Sequence, residues 1–223
     1  MTDSSKAKLF LESLRLSGIG EIFLSGTGKR EKSGPSGSYQ ELVKLRENVL
    51  RCTRCDELVR NRHTVVFGSG NPRAQLVFVG EAPGAEEDRQ GLPFVGAAGQ
   101  LLTKMIESIG LKRQEVFIAN VLKCRPPGNR PPKPLEIENC EPYLAKQLEL
   151  IKPKLICALG TFAAQTLLKT SASISSLRGK VFNYRGINVL CTFHPAYLLR
   201  NPAEKRKAWE DLKKLKAMLD ENS

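Results

Sequence analysis

Imidazole is scarce in this chain. His63 and His194 are its only histidines and Trp209 its only tryptophan in 223 residues. Chemistry that needs a histidine therefore has two possible homes. No apolar run approaches the roughly 18 residues that a bilayer-spanning helix requires. The opening MTDSSKAKLF lacks the apolar centre of a signal peptide. Both absences lead to the expectation of a soluble, cytoplasmic protein with no membrane role. Acidic residues are also few: 23 Asp and Glu stand against 35 Lys and Arg, a net charge of +12. That excess serves solubility, and it equally suits a polyanionic partner, nucleic acid above all.

Cysteine usage is more specific. Six cysteines in a chain of this size do not suggest a disulfide scaffold. Cys52 and Cys55 form a C-x-x-C pair, and Cys124 and Cys140 follow far downstream with fifteen residues between them. Four thiolates hold either a zinc ion or an iron-sulfur cluster, and this spacing alone does not separate the two. Cys157 and Cys191 lie inside apolar runs and read as buried thiols.

The stretch Gln75 to Leu102 organises the rest. The apolar run Leu76 to Val79 predicts a buried strand, which breaks into Gly80-Glu81-Ala82-Pro83-Gly84, a turn suited to glycine and proline. Acids Glu86, Glu87 and Asp88 follow, then a glycine-punctuated loop carrying Phe94, then a helix from near Ala98. Further strands are predicted at Val116–Val121, Leu155–Leu159 and Ile187–Thr192, the last paired with Lys180–Tyr184 through a hairpin at Arg185-Gly186. Helical spacing covers Tyr39–Arg51, Gly99–Ile109, Glu136–Ile151, Thr161–Leu168 and Ala203–Leu219, the last a basic helix expected to pack through Trp209, Leu212, Leu215 and Leu219. Strands alternating with helices predict a three-layer α/β/α sandwich around a central, mostly parallel four-stranded sheet. Residues 1–38 read as an N-terminal extension: a weak helical pattern from Ala7 to Leu16, then the Gly- and Ser-rich linker Ser25–Ser38. Residues 39–223 form the main domain. Ligands of open α/β sheets bind beyond the carboxyl ends of the strands, and three of these ends carry Gly80-Glu81, Asn120 and His194.

Four motifs now stand in order: GEAPGAEED at 80–88, GLPFVGAAGQLL at 91–102, NVLKCRPPGNR at 120–130 and HPAYLLRNP at 194–202. Together with the cysteine spacing they resemble the family 4 uracil-DNA glycosylases, from about residue 40 to the end. The resemblance implies a monomeric α/β/α enzyme that removes uracil from DNA without cutting the strand. It also implies a structural [4Fe–4S] cluster on Cys52, Cys55, Cys124 and Cys140. One departure is visible: alanine follows His194-Pro195 where that family often has serine, so a hydroxyl is missing.

The residues fit the implied chemistry. A uracil stacked in a duplex must be flipped out, at a cost of a few kcal/mol. Arg125, Arg130, Arg200 and the basic helix with Lys205, Arg206, Lys207, Lys213 and Lys214 can grip phosphates, or be ordinary solvated charges. Leu198 and Leu199 can wedge into the vacated stack, or pack in the core. Phe94 is the candidate platform for the flipped base. The Asn120 amide can accept from uracil N3–H and donate to O4, the reverse of the pattern cytosine offers. His194 can donate to O2 as the base leaves as an anion; His63 reads as a surface residue. Glu81 and Glu87 are the carboxylates available to orient water or stabilise the sugar cation. The resemblance adds that Glu87 crowds C5 and excludes thymine. Backbone N–H groups across Gly80, Ala82 and Gly84 can hold base carbonyls.

Three function classes remain in view. The first is a monofunctional glycosylase acting on uracil-containing DNA. The second is a non-catalytic nucleic-acid-binding module with a structural metal. The third is a relative that links covalently to DNA, which carries a basic, His-containing insertion after the second strand. Here that place reads KCRPPGNRPPKP, without histidine. Residues 1–38 are a candidate docking segment for a replication or repair protein.

Overall fold

The computed structural model describes residues 37–221. The helical pattern at Ala7–Leu16 and the linker up to residue 36 lie outside the described residues. In chain order the elements are α1 (Gly37–Leu50), α2 (Asp56–Asn61), β1 (Ser69–Gly70), β2 (Leu76–Gly80), α3 (Ala85–Gln90), α4 (Ala97–Ser108), β3 (Phe117–Asn120), α5 (Pro134–Ile151), β4 (Leu155–Leu159), α6 (Thr161–Leu168), α7 (Ile174–Leu177), β5 (Val181–Tyr184), β6 (Ile187–Thr192), α8 (Pro195–Arg200) and α9 (Lys205–Asp220).

The sheet has six strands rather than the expected four, in the order β1-β3-β2-β4-β6-β5. The four expected strands form its parallel centre. β1 and β5 add antiparallel edges. The extra strand β1 is two residues long and polar, too short to produce an alternation that sequence can reveal. β5 and β6 join through Arg185 and Gly186, both with positive φ (51° and 87°), the twist that a two-residue hairpin needs.

Period-two alternation divides the core into two layers. Val77, Val79, Ile156, Ala158 and Val189 point to one face and pack with α1, α5 and α6. Leu76, Phe78, Leu155, Cys157 and Leu190 point to the other and pack with α4 and α9. Cys157 and Cys191 are both fully buried. α5 opens with Pro134 at its first position, where a missing N–H is harmless, and carries Pro142 in its interior. Trp209 departs from expectation: it is exposed, and α9 packs through Ala208, Leu212 and Leu215.

Chain direction sets the site. From β2 the chain crosses to β3 on one side, then returns over β2 to β4 on the other. Such a switch point opens a crevice at the carboxyl ends of the strands. Gly80 pairs with Asn120 across β2 and β3, and Leu159 with Thr192 across β4 and β6, so all four strands end at one level. Among the described residues no helix is long and apolar enough to cross a membrane.

Candidate active site

A cleft of about 500 Å³ opens at this edge, with Glu81, Glu87, Phe94, Asn120 and His194 all in its lining. Three strand tips and one loop therefore converge there, as their order in the sequence implied. Gly80 lies beneath the cleft, its carbonyl accepting from Val121 N–H at 2.9 Å. A β-carbon on Gly80 would stand 2.4 Å from Asn120 Oδ1 and 2.6 Å from the Phe94 ring. Glycine is required here because the Asn120 amide and the Phe94 ring meet over its α-carbon.

Phe94 is buried and held at φ 53°, a left-handed conformation that a bulky residue adopts only under constraint. The constraint is visible. Arg113 donates from Nη2 to the carbonyls of Pro93 (2.7 Å) and Phe94 (3.0 Å), and from Nη1 to Thr103 Oγ1 (3.1 Å). Glu87 Oε1 accepts from the N–H groups of Val95 (2.9 Å) and Gly96 (3.0 Å). Gly99 lets α4 approach so closely that a β-carbon would lie 1.8 Å from the Phe94 carbonyl oxygen. A cation takes the loop's carbonyls and an anion its amides. The Phe94 ring comes to rest 5.5 Å from the His194 ring, tilted by 34°.

Asn120 is 2% exposed, and its Oδ1 has no hydrogen-bond partner. A buried acceptor left empty costs about 1–3 kcal/mol, so such an atom in a cleft points to a ligand donor. Behind it, the backbone carbonyl of Asn120 accepts from Lys123 Nζ (2.7 Å), which also donates to Gln147 Oε1 (2.6 Å). Lys123 is a fully buried amine, and its place at the head of the basic, proline-rich KCRPPGNRPPKP gives no sign of that burial.

His194 caps α8: its Nδ1 accepts from Ala196 N–H at 3.1 Å. The ring proton therefore sits on Nε2. Burial, with Arg200 nearby, lowers its pKa to about 4, partly opposed by Glu87. At neutral pH it is an uncharged imidazole with one N–H to offer. Burial also raises the Glu81 carboxyl above its ordinary value. The two glutamates thus differ: Glu87 has one oxygen committed to the loop, whereas among the described residues none donates a hydrogen bond to the Glu81 carboxylate.

The remaining expected site residues scatter. Ala82, Gly84 and Arg200 line the cleft. Leu198 is 1% exposed and belongs to the apolar core, so the expectation that it reaches DNA is corrected; Leu199, 42% exposed, is the available neighbour. Adjacent helical residues are turned about 100° apart, so the two leucines need not share a face. Arg130 lines the cleft but is tied to Glu136 (2.6 Å) and Glu57 (3.1 Å). Arg125 stands outside the lining and donates to Asn129 Oδ1 at 2.8 Å. Asn129, Thr161 and Tyr197, which the sequence reading passed over, also face the cleft.

The four cysteines of the predicted ligand set meet in a second, smaller cavity formed by Cys52, Cys55, Cys124 and Cys140. Donors point at three of the sulfurs: Arg62 Nη1 to Cys124 (3.0 Å), Lys123 N–H to Cys140 (3.2 Å) and Asn139 Nδ2 to Cys55 (3.6 Å). Among the described residues, no three His, Cys, Asp or Glu side chains close on a point as ligands of a single metal ion do.

Residues 67–213 match the family model of the Uracil DNA glycosylase superfamily. The type-4 uracil-DNA glycosylase of Archaeoglobus fulgidus is 45% identical over 184 residues, 79% of this chain and 92% of that protein. Those of Sulfurisphaera tokodaii (46%; 79% of this chain, 84% of that protein) and Thermotoga maritima (44%; 81% and 96%) are similar to the same extent. On this similarity, running nearly the full length of its relatives, the chain belongs to the uracil-DNA glycosylase superfamily and, within it, to the type-4 uracil-DNA glycosylases.

Proposed function

We propose that the protein hydrolyses the N-glycosidic bond of uracil in DNA as a monofunctional glycosylase of base excision repair, leaving an abasic site. The observation that carries the reading is Asn120: a buried amide oxygen without a partner, beside an aromatic ring and a neutral histidine, in one cleft. The flipped base stacks on Phe94, which contributes about 1–3 kcal/mol without regard to base identity. Identity comes from Asn120, whose Oδ1 accepts from N3–H. As the C1′–N1 bond breaks, its electron pair leaves with the base and the sugar gains oxocarbenium character. The Nε2–H of His194 donates to the anion growing at O2, worth about 10²–10³ in rate for one such donor. Glu81 orients the water that attacks C1′ and accepts its proton. Glu87 serves mainly by fixing the loop that presents Phe94.

Cys52, Cys55, Cys124 and Cys140 hold a [4Fe–4S] cluster in this reading. Support comes from the shared cavity and from the N–H donors aimed at sulfur, the kind of contact that tunes thiolate ligands of such clusters. A four-iron cube also keeps its thiolates farther apart than one zinc ion does. When bound, the cluster ties the α1–α2 junction to the loop after β3 and to α5. The protein works as a cytoplasmic monomer, and residues 1–38 dock a replication or repair protein.

The test is direct. A uracil-containing oligonucleotide incubated with the protein and then treated with alkali is cleaved at the uracil. Tight binding without alkali-sensitive sites would replace this reading with that of a non-catalytic binding module, and a protein–DNA adduct on a denaturing gel with that of a covalent binder.

A further inference from the structure

Trp209 was expected in the apolar stripe of α9, yet it is 41% exposed. Scattered surface aromatics are ordinary, but this one has particular neighbours. Exposed Lys205 and Arg206 lie one turn before it and exposed Lys213 one turn after; residues three and four apart share a helix face. Lys213 is paired with Glu210 at 2.7 Å. Among the described residues, no carboxylate pairs with Lys205 or Arg206.

The helix that carries this face starts five residues after cleft-lining Arg200. Asp211 accepts from the hydroxyl of Thr192, the last residue of β6, at 2.7 Å. Further along, Lys214 donates to the Gly179 carbonyl while Gly179 N–H donates to that of Cys191, so α9 runs back along β6 and its start lies toward the carboxyl edge of the sheet, where the cleft opens. At 1.5 Å per residue, Trp209 lies about 3 Å and Lys205 about 9 Å back along the helix axis from Asp211. The chain reaches α9 directly from exposed Leu199 and cleft-lining Arg200, through the single turn Pro202–Glu204.

We propose that Trp209, with Lys205 and Arg206, forms a second contact for single-stranded DNA, stacking an unpaired base of the strand that leaves the cleft. An indole offers its face to any base, and the bases of a duplex are already stacked on one another. The flanking cations hold the adjacent phosphates. The inference rests on reading the cleft as a DNA site, and its test separates the two.

Because Trp209 is the only tryptophan in the chain, intrinsic fluorescence reports this residue alone. The full chain is titrated with oligo(dT), which lacks uracil, and with a duplex of equal length. Tryptophan emission and the anisotropy of end-labelled DNA are followed in parallel. Saturable quenching by oligo(dT), and little by duplex, is expected. Trp209→Ala weakens oligo(dT) binding about tenfold and leaves duplex affinity and uracil release from duplex unchanged. Replacing Lys205 and Arg206 together with Ala lowers the salt slope of oligo(dT) binding by about 1.4. Oligo(dT) bound without any change in emission overturns the proposal, as does equal quenching by duplex. Emission that is already blue-shifted and closed to acrylamide in the free protein also overturns it, by showing the face covered. Uracil release without quenching defeats this inference and leaves the catalytic reading standing; quenching without release does the reverse.

Discussion

Two side chains at the cleft differ in what acid does to them, and this separates their roles. The neutral His194 stays neutral down to about pH 4, so acidification through the mildly acid range leaves its N–H donor in place. Glu81 has its pKa raised by burial and must be ionised to accept a proton from water. The rate of base release should therefore fall, as pH drops, through a carboxylate that protonates above the ordinary Glu value. Glu81→Gln should remove that acid limb and lower the plateau about 10²-fold or more. His194→Gln should lower the plateau and leave the limb where it was. A limb that survives Glu81→Gln would take the base role away from Glu81. The sequence supplied both glutamates but not their division of labour. What separates them is the pair of N–H groups on Val95 and Gly96 that occupies Glu87, a contact set by the fold of the loop.

The loop before α4 and the junction of β6 with α9 are the elements on which the site depends. Arg113→Met should free the carbonyls of Pro93 and Phe94 and let the aromatic platform relax from its left-handed conformation. Inhibition by free uracil should weaken about tenfold, the loss expected from a misplaced stacking surface. An unchanged inhibition constant would deny Arg113 its positioning role. Asp211 is buried and accepts from Arg178 Nη2 (2.6 Å), Arg178 Nε (3.1 Å) and Thr192 Oγ1 (2.7 Å), which pins α9 and the turn before β5 to the tip of β6. Asp211→Ala should cost about 3 kcal/mol and lower Tm by roughly 6–12 °C, read by calorimetry; a drop within error would make the network ornamental. The central strands were legible because fully buried parallel strands are short apolar runs. The polar two-residue β1 was not. Neither was the direction of Trp209, because an aromatic that fits a helical stripe by spacing can still lie one residue to its side.

For the molecule as a whole, the sequence order of strand tips was enough to foresee one cleft, because parallel strands in one sheet all end on the same side. It was not enough to foresee Arg113 or Lys123, each of which donates to backbone carbonyls as well as to one distant side chain, contacts that carry no sequence signature. The cysteine cavity joins Cys52 and Cys55 to the distant Cys124 and Cys140, and a cluster there should act on stability before chemistry. Purified protein should be brown, absorb near about 400 nm and lose Tm on loss of iron; a colourless protein with stoichiometric zinc, cluster loss being excluded, would refute that assignment. The proposed mechanism turns on two residues, Asn120 to identify an everted uracil and His194 to ease its departure. It is tested most directly by single-turnover uracil release from one oligonucleotide by the wild type, Asn120→Ala and His194→Ala. The account predicts release by the wild type and a loss of about 10²-fold or more in each variant, with DNA affinity nearly unchanged. Release at wild-type rates by either variant would contradict it.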